Sequence, residues 1–461
     1  MLADEVDSLS SALLDYRFGW RWLLPDLTGN RVVSHGLCED ERQWWMRTQS
    51  LTLVSNQAEK FDGYLIALDS VDPDTIANQM NSATPRWLCA WGTGASVSCL
   101  RSSLQEFSMV REYALLPAGK PRVVVPLSSP ENAVAGLRLH RPGRWLARIG
   151  LLIACGFARL KHYGLLRRNT LLIATREKEA VPQGVVQSDM YASILSSCTD
   201  YVLYLGTPDD NRKTIILPLG GMHQIILKQG ELPRAQTALR KEADALQSLS
   251  LTPLAAQVPV LHNVVEREGL VVLHQEYRTR QWITDAGMRR AAIAFLSELS
   301  KQGRCAKPLV DVLNQSNLMS VSEARTARKM SYARIRNHLD LLAAGGAMIW
   351  GHRSHGDFAP WNCAWTAKGF WVYDWEDSQP WSVALEDAFY FAIAPALHIS
   401  NKPNPIGTLN NAYSFATHVM QSGNLEGVDI KVHFALWSLA KYETHEFLSD
   451  LLDILITGEN I

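Results

Sequence analysis

Two short stretches carry residue types suited to chemistry: "SHGDFAPWN" at 354–362 and "VYDWEDS" at 372–378. Asp357 stands five positions before Asn362, and Asp374 follows seventeen positions after Asp357. An Asp within hydrogen-bond reach of a hydroxyl can take its proton. An Asn and a second Asp offer the hard oxygen donors that Mg2+ prefers. Phosphoryl transfer needs little more than such positioning and charge neutralisation. Each residue alone is also ordinary turn chemistry, since Asp and Asn are frequent in loops. What the three need is a device that closes them on one another. The stretch "NCAWTAKGFWVYD" supplies one: two apolar runs, "CAW" and "FWVYD", flank a turn at "TAKG". This pattern predicts a β-hairpin that returns Asp374 to Asn362.

Upstream, "DYVLYLGTP" (200–208), "RKTIILPLGG" (212–221) and "HQIILK" (223–228) read as three strands, the last ending in Lys228. "RAQTALRKEADALQSL" then predicts a helix rich in strong helix formers. Leu239, Glu242, Leu246 and Leu249 share one face of it. A carboxylate on an apolar face needs a partner, and Lys228 is the natural cation. A Lys fixed by a Glu can hold the α- and β-phosphates of ATP. "GLVVLHQEY" (269–277) reads as a strand running into a hinge. Backbone groups around Gln275 and Tyr277 would bond adenine there. Segments 282–302 and 320–345 look helical.

The ordered set of Lys, helix Glu, HGD-x4-N and hairpin Asp resembles the aminoglycoside phosphotransferase/choline kinase family. "HGDFAPWN" and "YDWE" are similar to that family's HGDxxxxN and D-[FW]-[DE] motifs, and the resemblance spans about 195–455. It implies an α+β, bilobal protein-kinase-like domain with ATP and Mg2+ as cofactors. It implies Asp357 as catalytic base, Asn362 and Asp374 as metal ligands, and Lys228 as phosphate holder oriented by Glu242. His355 would brace the loop, and Asp387 in "ALEDAFYF" would support it from beneath. Gly206 in "LGTPDDNRKT" is the one glycine of the nucleotide loop, which has no GxGxxG. Glu376 is open between support of the metal and a solvent-facing role. Acceptors in the resembled family include aminoglycosides, choline, amino alcohols and sugars.

The N-terminal half alternates strand-like runs, "RVVSHG", "LTLVS", "GYLIALDS" and "RWLCAWG", with helical ones, "DPDTIANQMNS" and "SCLRSSLQEF". "MVREYALL" and "PRVVVPLSS" read as later strands. The alternation predicts an α/β domain with a largely parallel sheet. Over about 20–130 the order resembles a class I S-adenosylmethionine-dependent methyltransferase. The family's first strand normally leads into a Gly-rich turn, and "VVSHGLCED" has only Gly36. A degenerate Rossmann-like scaffold is therefore the expectation. The expected division is a Rossmann-like domain at 1–180, a small kinase-like lobe at 195–280 and a large lobe at 281–461, with a joint near 177–195.

A formal net charge of −1 gives no global field for nucleic acid. Seven cysteines, odd in number and without a CxxC, predict reduced, mostly buried thiols rather than disulfides or zinc. The acidic N-terminus has no apolar run of the secretory type, and "IGLLIACGFA" is too short to span a bilayer. A cytoplasmic protein is expected. The stretch 138–168 holds eight Arg and Lys and no Asp or Glu. It is open between a peripheral contact with an anionic membrane and a core helix whose arginines pair with acids. The function expected is phosphate transfer from ATP to a small-molecule hydroxyl (a sugar, an aminoglycoside-like compound or an amino alcohol), with envelope polysaccharide synthesis as one setting. The alternatives are a pseudokinase scaffold or nucleotide-binding regulatory protein, and a bifunctional methyltransferase–kinase.

Overall fold

The computed structural model describes residues 14, 17–24, 27–54, 60–81, 84–117, 121–139, 153–163, 166–176, 198, 200–206, 209–219, 224–267, 269–315, 318–326, 329–400, 402–441 and 447–457. The joint at 177–195, the loop residues Thr207 and Pro208, and Arg141, Arg144 and Arg148 of the basic stretch lie outside that set. The chain forms two compact units, Met1–Thr237 with His262–Gln275, and Ala238–Leu261 with Glu276–Ile461.

In the first unit, β1 (Arg31–His35), β2 (Thr52–Val54), β3 (Gly63–Ala67) and β4 (Trp87–Gly92) are laid parallel. Helix α1 (Glu39–Gln49) connects β1 to β2, and α2 (Pro73–Asn81) connects β3 to β4. Helix α3 (Gly94–Ser102) follows, then β5 (Met109–Leu116), β6 (Val123–Pro126), α4 (Pro130–Leu139) and β7 (Thr170–Thr175). The strands alternate their side chains between two cores. Val32, Leu65, Cys89 and Trp91 face Phe18, Trp20, Trp44 and Trp45 on one side. Val33, Tyr64, Ile66 and Leu88 face Ile76, Val97 and Leu100 on the other. Burial on both faces is why β3 and β4 read as unbroken apolar runs.

The sheet is mixed rather than largely parallel. Strand β7 lies between β4 and β5 and runs antiparallel to both. Its run "TLLIAT" is buried throughout, an unbroken apolar run like those of β3 and β4. Strands β8 (Asp200–Leu205), β9 (Lys213–Leu219), β10 (Ile225–Gly230), β11 (Leu261–Arg267) and β12 (Leu270–Glu276) continue the same sheet. The order is β11-β12-β10-β9-β8-β6-β5-β7-β4-β3-β1-β2. The seam is β6 against β8, with Val123 opposite Tyr204 and Val124 opposite Leu203. Gly36, in the turn after β1, has φ +72°, and a Cβ there would lie 2.4 Å from the Ala67 carbonyl oxygen. Packing against β3 thus accounts for this glycine. Of the basic stretch, Arg167 pairs with Glu112 at 2.7 Å. Cys89, Cys155, Cys198 and Cys363 are buried, while Cys38, Cys99 and Cys305 are exposed. Among the described residues no helix is long and apolar enough to cross a membrane.

Helix α5 (Pro233–Leu249) leads into the second unit, with Leu239, Glu242, Leu246 and Leu249 buried on one face as the spacing predicts. That unit is mostly helical: α6 (Asp285–Leu299), α7 (Leu309–Gln315), α8 (Val321–Thr326), α9 (Met330–Ala344), α10 (Glu386–His398), α11 (Pro405–Ser422), α12 (Ile430–Lys441) and α13 (Phe447–Thr457). A small sheet orders β13 (Cys305–Pro308), β14 (Met348–Ser354) and β17 (Gln379–Val383). Between β14 and β17 lies the hairpin β15 (Cys363–Thr366) and β16 (Gly369–Val372), with Cys363 opposite Val372.

Candidate active site

Strand β14 delivers the chain to His355, Gly356 and Asp357. The loop is fixed from beneath by Asp387, in the first turn of α10. Its carboxylate accepts from the His355 N–H at 2.7 Å and the Gly356 N–H at 3.0 Å. Asp387 is buried, and burial together with the neighbouring Glu386 raises its pKa against the pull of those two amides. Gly356 has φ +85°, and a Cβ there would sit 2.3 Å from the Asp377 carbonyl oxygen. Only glycine fits this crossing of two backbones.

His355 is fully buried between Trp375, 4.5 Å away by ring centroids, and Phe358, at 5.8 Å. Its Nδ1 accepts from the Asp357 N–H at 3.3 Å and its Nε2 donates to the Tyr373 carbonyl at 3.1 Å. One acceptor and one donor describe a neutral imidazole. The ring therefore couples the residue before Asp374 to Asp357. Phe358 and Trp375 anchor both segments in the core around Phe295.

Asn362 ends a short 3-10 turn, Pro360–Asn362. Its Nδ2 donates to the Asp357 carbonyl at 2.9 Å and to Asp357 Oδ2 at 2.7 Å. The Tyr373 N–H donates to the Asn362 carbonyl at 3.1 Å, so the hairpin returns the chain as its pattern predicts. Asp374 comes next, with a left-handed φ of +73°. Asp tolerates that region better than most residues. Carboxylate oxygens of Asp374, Glu376 and Glu242 lie within 4.8 Å of one another. An all-oxygen donor set of this kind suits a hard divalent cation. Glu376 thus stands with the acidic residues, and Glu242 offers a further oxygen ligand.

Asp357 is half-buried. Burial raises its pKa, and the negative charges of Asp374 and Asp377 push the same way. Hydrogen bonds from Tyr390 and Asn362 oppose the rise. The Tyr390 hydroxyl also meets His398 Nε2 at 3.3 Å. Tyr390 stands three residues after Asp387 on α10, so one helix face serves both loop and carboxylate. That spacing was the available signal for Tyr390. Arg280 had none: it donates to the Trp361 carbonyl and the Tyr373 hydroxyl, contacts that only tertiary folding creates.

His355, Asp357, Asn362, Asp374, Asp387 and Glu242 all belong to the second unit, as does the half-buried Tyr277. The remaining candidates lie in the first. Lys228 is buried in β10 opposite Ile215, and the strand runs on to Gly230. Gln275 is buried in β12. The Gly206 N–H donates to the Lys213 carbonyl at 3.0 Å, across the β8–β9 connection. Next to Gln275, the Glu276 N–H donates to the Val260 carbonyl at 2.9 Å.

No family model and no curated protein matches the chain. Solved structures do. An aminoglycoside phosphotransferase in ternary complex with ADP and hygromycin B shares 12% identity over 60% of this chain and 99% of its own, with a TM-score of 0.38. An aminoglycoside phosphotransferase in complex with gentamicin shares 13% over 59% and 96%, at 0.33. Another, from Streptomyces rimosus, shares 13% over 57% and 98%, also at 0.33. At such scores the chemistry rests on the chain's own residues.

Proposed function

We propose that the protein is a phosphotransferase that moves the γ-phosphoryl group of ATP to a hydroxyl of a small molecule. The supporting observation is the way the Asp357 carboxylate is held. It is half-buried, bonded by Asn362 and set on a loop fixed by Asp387 and His355. In this reading Asp357 accepts the proton of the acceptor hydroxyl. The acceptor oxygen forms the new bond to the γ-phosphorus, the bond to the bridging oxygen breaks, and ADP leaves. Burial keeps the Asp357 carboxyl basic enough to receive a proton. Glu242, Asp374 and Glu376, with the Asn362 side chain, would hold a divalent cation, which supplies charge neutralisation at the phosphates.

The test is ADP release against a panel of aminoglycosides, amino alcohols and sugars, with ATP affinity measured in parallel. Asp357→Asn keeps the shape and removes the base. Its turnover is expected to fall about 10²–10⁴-fold, with ATP affinity largely retained. Undiminished turnover in that variant would overturn the role.

A further inference from the structure

We propose that the first unit holds a second small-molecule site, for a zwitterion of amino-acid type, over the carboxyl ends of β3 and β4. A cleft of about 410 Å³ lies there, within the usual size for small ligands. Asp69 stands just beyond β3, and Thr93 just beyond β4; both line it. Antiparallel β7 brings its amino end to the same place, with Thr170 opposite Gly92, so Arg168 and Asn169 complete the rim. Ligands of α/β sheets collect at the carboxyl ends of parallel strands because loops, rather than packed strands, meet there. None of these residues takes part in the chemistry assigned to Asp357.

The lining selects the ligand's charge. Arg17, on the rim, is paired with Glu41. Arg167 is paired with Glu112, but its neighbour Arg168 has no acidic partner among the described residues and is exposed. Among the described residues Asp69 accepts one hydrogen bond, from the Thr93 N–H to Oδ1 at 3.2 Å, and its side chain is likewise exposed. The cleft therefore presents, among the described residues, one cation without an acidic partner and one carboxylate. A simple anion meets repulsion at Asp69, and a simple cation meets it at Arg168. A molecule carrying a carboxylate and an ammonium satisfies both. The apolar part of the lining is Phe18, Trp20, Trp91, Leu115 and Pro121. Phe18, Trp20 and Trp91 are only 0%, 1% and 5% exposed, so they offer no open ring face for sugar stacking.

Calorimetry on the full chain tests this with L-phenylalanine and L-leucine as zwitterions, and with the N-acetyl and amide derivatives of each. At least one zwitterion is expected to bind, and its two derivatives about tenfold or more weakly. Asp69→Asn should abolish discrimination against the N-acetyl form, and Arg168→Gln that against the amide. Asp357→Asn should leave all of this unchanged, which separates the site from the proposed phosphotransferase centre. The proposal is overturned if neither zwitterion binds, if the derivatives bind equally well, or if the two rim substitutions leave selectivity intact.

Discussion

Asp357 sits under opposing influences that set how well it can act as a base. Burial and the charges of Asp374 and Asp377 raise its pKa, while the hydroxyl of Tyr390 and the amide of Asn362 favour the carboxylate. A base with a raised pKa binds a proton earlier as pH falls, so the acid limb of activity should lie above the ordinary carboxylate range. Tyr390→Phe removes one bond that favours the charged form. The acid limb of kcat/KM is then expected to move to higher pH. A pH–rate profile of the two proteins measures this, and an unmoved limb would place Tyr390 outside the control of Asp357. His355, by contrast, is held neutral with both ring nitrogens engaged, which makes it a support rather than a proton carrier.

The loop between β14 and β15 works as an element only because two backbones cross at Gly356. Gly356→Ala would place a methyl against the Asp377 carbonyl at a left-handed φ. Denaturant unfolding is expected to show a loss of about 2–4 kcal/mol, with reduced phosphate transfer. Unchanged stability would mean that the crossing is looser than its geometry. This element was legible in the sequence because its parts are local. The hairpin has its own turn, Asn362 lies one short loop from Asp357, and Asp387 opens the next helix. The gathering of Glu242 with Asp374 and Glu376 was not legible, because it depends on how a helix far upstream packs. The same limit hid Arg280. Strand β7 escaped for a different reason: nothing local to "TLLIAT" says which strands it joins, and its place between β4 and β5 turned an expected parallel sheet into a mixed one.

At the scale of the molecule, the sequence divides in composition near 177–195, yet the strands on either side of that stretch share one sheet. Residues 1–180 and 195–280, distinct by pattern, meet through β6 and β8. Two hydrogen-bonded neighbours, β6 and β9, therefore flank β8, and its core run Tyr201–Leu205 contains neither a charge nor a proline. A fragment beginning at residue 195 would strip one side of that strand and leave an open, apolar edge, the kind that templates aggregation. Such a fragment is expected to be insoluble or polymeric by light scattering, and a stable monomer would contradict this. The N-terminal strands would then serve as a built-in chaperone, covering an edge that the following strands cannot cover themselves.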